Sequence, residues 1–283
     1  MNIVKIKINS EFFNIKDTLE CGQVFRFVPY EKGYKVFSID KCCYCYNEQD
    51  LAVIECLNKD REYFENYFDL SRDYKKIYDF ALQQNIGILT KSANLGKGIR
   101  ILNQNPVETL FSFIISQNNN ISRIKGIIEK LCFLLGEKSS FLEQEYYAFP
   151  TCEKMARQDL SFYKSIGLGY RAEYVRNLAI NCINGFDLNK YNNSDTPFLK
   201  KMLIEIYGVG PKVADCVALF GFHRSDSFPV DTWIAKLYKE NFNGTLTDRN
   251  KIADYFTSMF KYNSGYFQQY LFYYKRTLEK TKQ

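Results

Sequence analysis

Residues 196–222 read TPFLKKMLIEIYGVGPKVADCVALFGF. Apolar residues recur at helical spacing on both sides of a Gly-Val-Gly-Pro step, with no linker between the two runs. Gly208 and Gly210 can adopt backbone angles closed to other residues. Pro211 falls at the first helical position, where its missing N–H costs nothing. The stretch is therefore expected to fold as helix, tight hairpin, helix over 198–221. Its exposed backbone amides and helix N-terminus form a surface that attracts phosphate oxygens. An ordinary αα-hairpin is the plain alternative.

The rest of the chain divides by period. NIVKIKI alternates apolar and polar residues as a half-buried strand does, and QVFRFVPY, YKVFSID, KCCYCYNE and LAVIEC follow at short intervals, separated by EKG and NEQD. That pattern predicts an antiparallel sheet. Beyond residue 60 the spacing becomes helical. Ile121, Ile124, Ile127, Ile128 and Leu131 fall on one stripe, Pro106 stands just inside a helix start, and GYFQQYLFYYKRTLEKTK gives a helical end with a basic tail. The expected fold is α+β and mostly helical: an N-terminal antiparallel β domain over 1–90, packed on a helical domain over 91–283.

Composition narrows the chemistry. The chain has 283 residues, a formal net charge of +6 and one histidine, His223. A moderately basic surface is compatible with a polyanion without demonstrating one. Ser-His-Asp and Cys-His catalysis, HExxH metalloprotease sites and multi-histidine metal centres would all rest on that one residue near a loop. The nine cysteines are scattered and odd in number, and CCYC at 42–45 has no second CxxC to complete a zinc site. The cysteines and the lysine-interrupted N-terminus give the expectation of reduced thiols in a cytoplasm, with no membrane-spanning segment.

Any nucleophile or base must then come from Lys, Asp, Glu, Cys or Tyr. Lys212 stands on the first turn of the second hairpin helix, with Cys216 one turn on along the same face. A free lysine amine, with a pKa of about 10.4, is neutral in roughly one molecule in 2,500 at pH 7. The positive end of a helix dipole and partial burial both push it down. Asp231 follows in SFPVDTWIAKLY, just after Pro229 and at a helix N-cap, whose amides favour the ionised carboxylate. An amine paired with a fixed carboxylate is a route to attack at an anomeric or carbonyl carbon through a Schiff base. The plain readings are a solvated lysine and a simple cap.

GVGPKVADC followed by PVD resembles the helix-hairpin-helix, Gly/Pro-rich, aspartate superfamily of DNA base-excision glycosylases. More closely, the chain is similar to the 8-oxoguanine DNA glycosylase/AP lyase family. The resemblance runs from CGQVFRF through FSFIISQNNNISRI and GLGYRAEYV to GYFQQYLF. Several separate matches in one order make it much more specific than a single glycine-rich turn.

The resemblance implies that Lys212 displaces the damaged base at the sugar C1′ and holds the opened sugar as an imine. Asp231 would stabilise the developing positive charge. Cys216 and Phe272 would sandwich the extruded base, Gln268 would read its Watson–Crick edge, and the Gly22 carbonyl would meet N7. Guanine N7 accepts a hydrogen bond, whereas N7 of 8-oxoguanine carries a hydrogen, so a fixed carbonyl separates the two. Asn118 would fill the hole left by the base, with Tyr170 as wedge and Arg123 and Arg171 gripping the partner cytosine. Gly208, Gly210 and Lys212 would face DNA phosphates. The carbonyls of Ile204, Ile206 and Val209 would hold a structural monovalent or calcium ion. No cofactor is otherwise implied, and the expected partner is duplex DNA containing 8-oxoguanine, met by a monomer at the nucleoid of a bacterial or archaeal cell. From the residues alone, Gly22 remains a strand-end glycine, the asparagines caps and turn formers, and Phe272 a core side chain.

Two departures stand out. PVDTW is shorter than the family's longer form, so the histidine expected near Thr232 is missing. No cysteine follows Cys216, so the iron–sulfur loop of the endonuclease III branch is absent. A glycosylase for oxidised pyrimidines or alkylated purines, and a non-catalytic DNA-binding module, are the competing readings.

Overall fold

The computed structural model describes residues 2–280. Five strands form one antiparallel sheet: β1 (Ile3–Asn9), β2 (Phe27–Tyr30), β3 (Gly33–Ser38), β4 (Lys41–Glu48) and β5 (Leu51–Leu57), in the order β1-β5-β4-β3-β2. A short hairpin, β6 (Lys138–Phe141) and β7 (Gln144–Tyr147), stands apart from it. The helices are α1 (Ile15–Glu20), α2 (Arg61–Tyr67), α3 (Tyr74–Gln83), α4 (Gly87–Leu95), α5 (Pro106–Ser116), α6 (Ile121–Leu135) and α7 (Cys152–Ala156). They continue as α8 (Leu160–Ser165), α9 (Arg171–Ile183), α10 (Thr196–Ile204), α11 (Pro211–Gly221), α12 (Thr232–Asn241), α13 (Arg249–Phe260) and α14 (Ser264–Lys280). The class is α+β and mostly helical, as expected. Residues 281–283, the end of the expected basic tail, lie outside the described residues.

Alternation explains the sheet. In β4, Cys43 and Cys45 turn to one face with Ile6, Ile54 and Cys56, while Cys42, Tyr44 and Tyr46 turn to the other with Val53. Both faces are covered, since Phe141 of β6 joins the second cluster and Tyr146 of β7 stacks on Phe37 at 5.4 Å. CCYC is thus a core strand, its thiols spent on packing.

The helical body has its own core, which takes in Cys21 and Phe25 from the N-terminal part, Tyr74 and Ile77 of α3, and side chains of α5, α6, α9, α11 and α14. In α6, Ile124, Ile127, Ile128 and Leu131 are buried as the stripe requires, but Ile121 in the first turn is exposed. Two buried polar side chains fasten sheet to body. Arg26 pairs with Glu108 of α5 at 3.4 Å and donates to the Tyr147 carbonyl at 2.6 Å. Gln23, wholly buried, donates to the Thr18 and Arg100 carbonyls and accepts from the Leu102 amide at 2.9 Å. A buried amide with all its groups met fixes the local backbone firmly. Gly22 is therefore held against the helical body.

Candidate active site

The hairpin forms where the sequence places it, with α10 and α11 joined through residues 205–210. Its two glycines do different work. Gly208 has φ +87°, and a Cβ there would lie 2.2 Å from the Tyr174 ring. Gly210 instead caps α11 in extended backbone (φ −93°, ψ 173°), with open space where a Cβ would stand. Pro211 occupies the first turn, so Lys212 projects from a helix start that is free of side-chain capping.

Lys212 and Asp231 line the same space three times over. They share a cleft of about 680 Å³ with Ser116, Asn118, Trp233 and Arg249, and a neighbouring cleft of about 400 Å³ with Gly22, Phe272 and Arg276. They also share a small recess of about 50 Å³ between Gly22, Cys216, Gln268 and Phe272. Among the described residues no salt bridge joins either of them to any partner, so they face one volume without neutralising each other. The Lys212 ammonium stands 5.2 Å from the centre of the Phe113 ring.

Asp231 caps α12, accepting from the Ile234 amide at 2.9 Å. The cap amides and Lys212 favour its ionised form, but burial outweighs them and holds the carboxyl above its ordinary value of 3.8. This reverses the expectation that capping would dominate, because the recess keeps water from the carboxylate. Burial likewise pushes the Cys216 thiol up to about 11, against the pull of Lys212. Cys216 is therefore a neutral wall of the recess rather than a nucleophile.

Gln268 donates to the Pro229 carbonyl at 3.1 Å, which leaves its own Oε1 buried without a partner. Gln268 lines the recess, and a buried acceptor left unmet costs about 1–3 kcal/mol. Gly22 has φ +96°, and its Cα face abuts Phe272 and Arg276. Cys21 and Gln23, to either side of it, are pinned by Gln269 at 3.1 Å and by the Gln23 network.

The asparagine run sits beside this recess. Asn120 caps α6 through the Arg123 amide at 2.9 Å, and Asn118 takes φ +46° and stands exposed, its Nδ2 donating to the Tyr170 hydroxyl at 3.2 Å. Arg171 is buried and spends its donors on the carbonyls of Gln117, Asn118 and Leu168. Arg123 remains exposed and reaches the Gly167 carbonyl at 3.2 Å. Gln117 in turn donates to the Gly208 carbonyl at 2.9 Å, so the asparagine loop and the hairpin are one connected surface.

Ile204 ends α10, and the Ile206 carbonyl accepts the Val209 amide at 2.9 Å. Among the described residues no group of three His, Cys, Asp or Glu is placed to hold a metal, and no helix is long and apolar enough to cross a membrane.

Residue spacing missed several lining groups: Phe113, Trp233, Glu279, Arg276, and Asp248, Arg249 and Asn250 at the start of α13. Arg276 alone carried a signal, since Gln268, Phe272 and Arg276 recur every four residues on one face of α14.

This architecture is that of a known class. Residues 111–258 match the family model of the HhH-GPD superfamily of base excision DNA repair proteins, and residues 5–110 match that of the 8-oxoguanine DNA glycosylase N-terminal domain. The N-glycosylase/DNA lyase of Saccharomyces cerevisiae is 32% identical over 92% of this chain and 75% of its own length. The structure of the Clostridium acetobutylicum 8-oxoguanine glycosylase/lyase, in complex with duplex DNA containing cytosine opposite 8-oxoguanine, superposes with a TM-score of 0.90. It is 35% identical, covering 95% of this chain and 93% of that one. Endonuclease III, at 17% identity and a TM-score of 0.51, shares the fold alone. The chain belongs to the 8-oxoguanine DNA glycosylase family of the HhH-GPD superfamily.

Proposed function

We propose that this protein excises 8-oxoguanine from duplex DNA, preferably opposite cytosine, through a Schiff base on Lys212, and then nicks the abasic strand by β-elimination. The observation that carries the reading is the placing of Lys212 and Asp231. Nineteen residues apart in the chain, they meet around one recess and form no ion pair. The amine keeps its lone pair for C1′ once it has shed its proton, and the carboxylate stays free to face positive charge on the sugar.

The chemistry follows from those two groups. The Lys212 nitrogen attacks C1′ while the bond to the base breaks, and the base takes a proton as it leaves. Opening of the sugar ring converts the amine adduct to an imine. The imine acidifies a C2′ proton; its removal expels the 3′ phosphate oxygen, and water then releases the lysine. Asp231 stabilises charge in the first step and assists the proton transfers, help typically worth about 10²–10⁴-fold.

The lesion must leave the helix to reach this site. A recess of about 50 Å³ has room for one or two waters and none for a purine, so the half-buried Phe272 ring must swing out to admit and then stack on the base. The unmet Gln268 Oε1 supplies an acceptor for the N–H groups of the base's Watson–Crick edge, Cys216 forms the opposite wall, and the Gly22 carbonyl takes the N7 hydrogen. Asn118 and Tyr170 enter the vacated stack. Arg123 holds the partner cytosine, while Arg171 holds Asn118 in place from beneath. Gly208, Gly210 and the α11 N-terminus grip phosphate. The α10 C-terminus and the carbonyls of Ile204, Ile206 and Val209 offer oxygen donors suited to a hard cation, which would brace the hairpin; the imine chemistry itself needs no cofactor. The nine free cysteines fit a reducing cytoplasm, where residues 1–90 serve as the sheet-bearing part and 91–283 as the catalytic one.

Borohydride trapping tests the whole reading. The protein is expected to form a covalent adduct with an 8-oxoguanine·cytosine duplex; binding without an adduct would leave only a DNA-binding module.

A further inference from the structure

Among the described residues, Arg276 is the one buried cation lining the site whose donors are left unmet. It is 8% exposed, its Nε and Nη1 have no hydrogen-bond partner, and only Nη2 is used, donating to the Glu20 carbonyl. No carboxylate pairs with it among the described residues. Of the two acids on its cleft, Asp231 caps α12 and Glu279 is bound to Lys236 and Lys275 at 2.9 and 3.2 Å. An unpaired guanidinium out of water is expensive, and an arrangement so costly persists where a ligand completes it.

The position of Arg276 says which ligand atom. Its Nη1 lies 2.9 Å from where a Gly22 Cβ would stand, and the guanidinium carbon is 5.5 Å from the centre of the Phe272 ring. It lines the 400 Å³ cleft with Lys212 and Asp231. An unmet donor therefore stands at the shoulder of Gly22, in contact with the ring proposed to cover the base.

We propose that Arg276 is a specificity-determining residue that donates Nη1–H to the C8 oxygen of the extruded purine. This rests on the function proposed above, in which the Gly22 carbonyl receives N7–H. In 8-oxoguanine N7–H and C8=O form a cis-amide edge, a donor beside an acceptor. Gly22 and Arg276 present the complement, an acceptor beside a donor. Guanine, with an N7 lone pair and a C8–H, mismatches both. The lesion is thus read by two hydrogen bonds on one edge, and the second meets a donor that the free protein leaves bare.

The test uses the full chain carrying Lys212→Gln, so that the substrate stays intact, and measures binding to three duplexes. One holds 8-oxoguanine, one an analogue that keeps the 8-oxygen but lacks the 6-oxygen, and one a stable abasic analogue. Adding Arg276→Leu is expected to weaken binding about tenfold to the first two, the worth of one charge-assisted hydrogen bond, and to leave the third within about twofold. Equal loss on all three would make Arg276 a phosphate contact or a fold element and overturn the proposal. A loss confined to the first duplex would place the contact at the 6-oxygen, which also overturns it. No loss on any duplex does the same. Arg276→Leu is expected to melt no lower than its parent, because it removes an unpaired buried charge; Arg276→Gln, which keeps a donor, should recover part of the binding. If the protein with Lys212 intact does not excise 8-oxoguanine, the underlying function fails instead, and the two failures are distinct.

Discussion

Helix α11 takes part in two lysine–aspartate pairs that meet opposite fates. Asp215, one turn into the helix, is almost wholly buried; Lys200 reaches it at 2.6 Å and the Ser227 hydroxyl donates to it at 2.8 Å. Lys212, on the first turn, faces Asp231 across open space without an ion pair. Burial raises both carboxyl groups above their ordinary value, and in each case a lysine pulls back. What differs is contact. The closed pair spends its charges on holding α10 to α11, while the open pair leaves them facing a shared recess, where the proposed chemistry would use them. Identical residue types are thus closed into a structural contact or left open to a cleft according to whether the fold lets them touch.

The sharpest way to break this comparison is Lys212→Gln. It should abolish the borohydride adduct and strand nicking, a loss of roughly 10³-fold or more, while the melting temperature stays near that of the parent. Asp231→Asn comes next. Asparagine keeps the helix cap, and base excision is expected to fall by about 10²–10³-fold in single-turnover assays. Its effect on stability has a definite sign. A carboxyl held above 3.8 in the folded state contributes stability that is fully present below pH 3.8 and lost as pH rises through its folded value. Asp231→Asn should therefore melt at or above the parent temperature at neutral pH, with the difference closing below about pH 4.

Lys200→Met probes the other pair. It strands a buried carboxylate, which should lower unfolding stability by about 3 kcal/mol at neutral pH, and less in acid, while the rate per folded molecule stays within about twofold. Adding Asp215→Leu should recover most of that stability. The smallest effect is expected from Arg123→Ala, which should narrow the preference for cytosine opposite the lesion by about tenfold, read as the ratio of excision rates across the four opposite bases.

Much of this was legible in the chain. Pro211 and Asp231 declare their helix starts by residue type, and both helices begin as read, α11 with Pro211 in its first turn and α12 with Asp231 as its cap. The β4 strand follows from the alternation of KCCYCYNE. The β6–β7 hairpin did not announce itself, because its turn is made by Leu142 and Glu143 at φ +48° and +58°, where no Gly or Asn marks a reversal. The long helical run near residues 61–84 is broken at Asp69, at φ +50°. Its carboxylate is held by Arg72 at 2.6 Å and by His223 at 3.2 Å, across the fold. Arg276 was readable as a neighbour of Gln268 and Phe272 on one face, but its unmet donors were not.

The amino-acid order by itself determined where helices start, which strands alternate, and which residues could carry an amine and a carboxylate to one place. These are short-range matters, set by backbone geometry and by periods of two and 3.6 residues. Only the tertiary structure decided that Lys212 and Asp231 share a recess unpaired, that water exclusion there overrules a helix cap, and that a guanidinium beside Gly22 lacks a partner. Those outcomes depend on distances between distant segments and on the water they exclude, and neither quantity is written in any local stretch of chain.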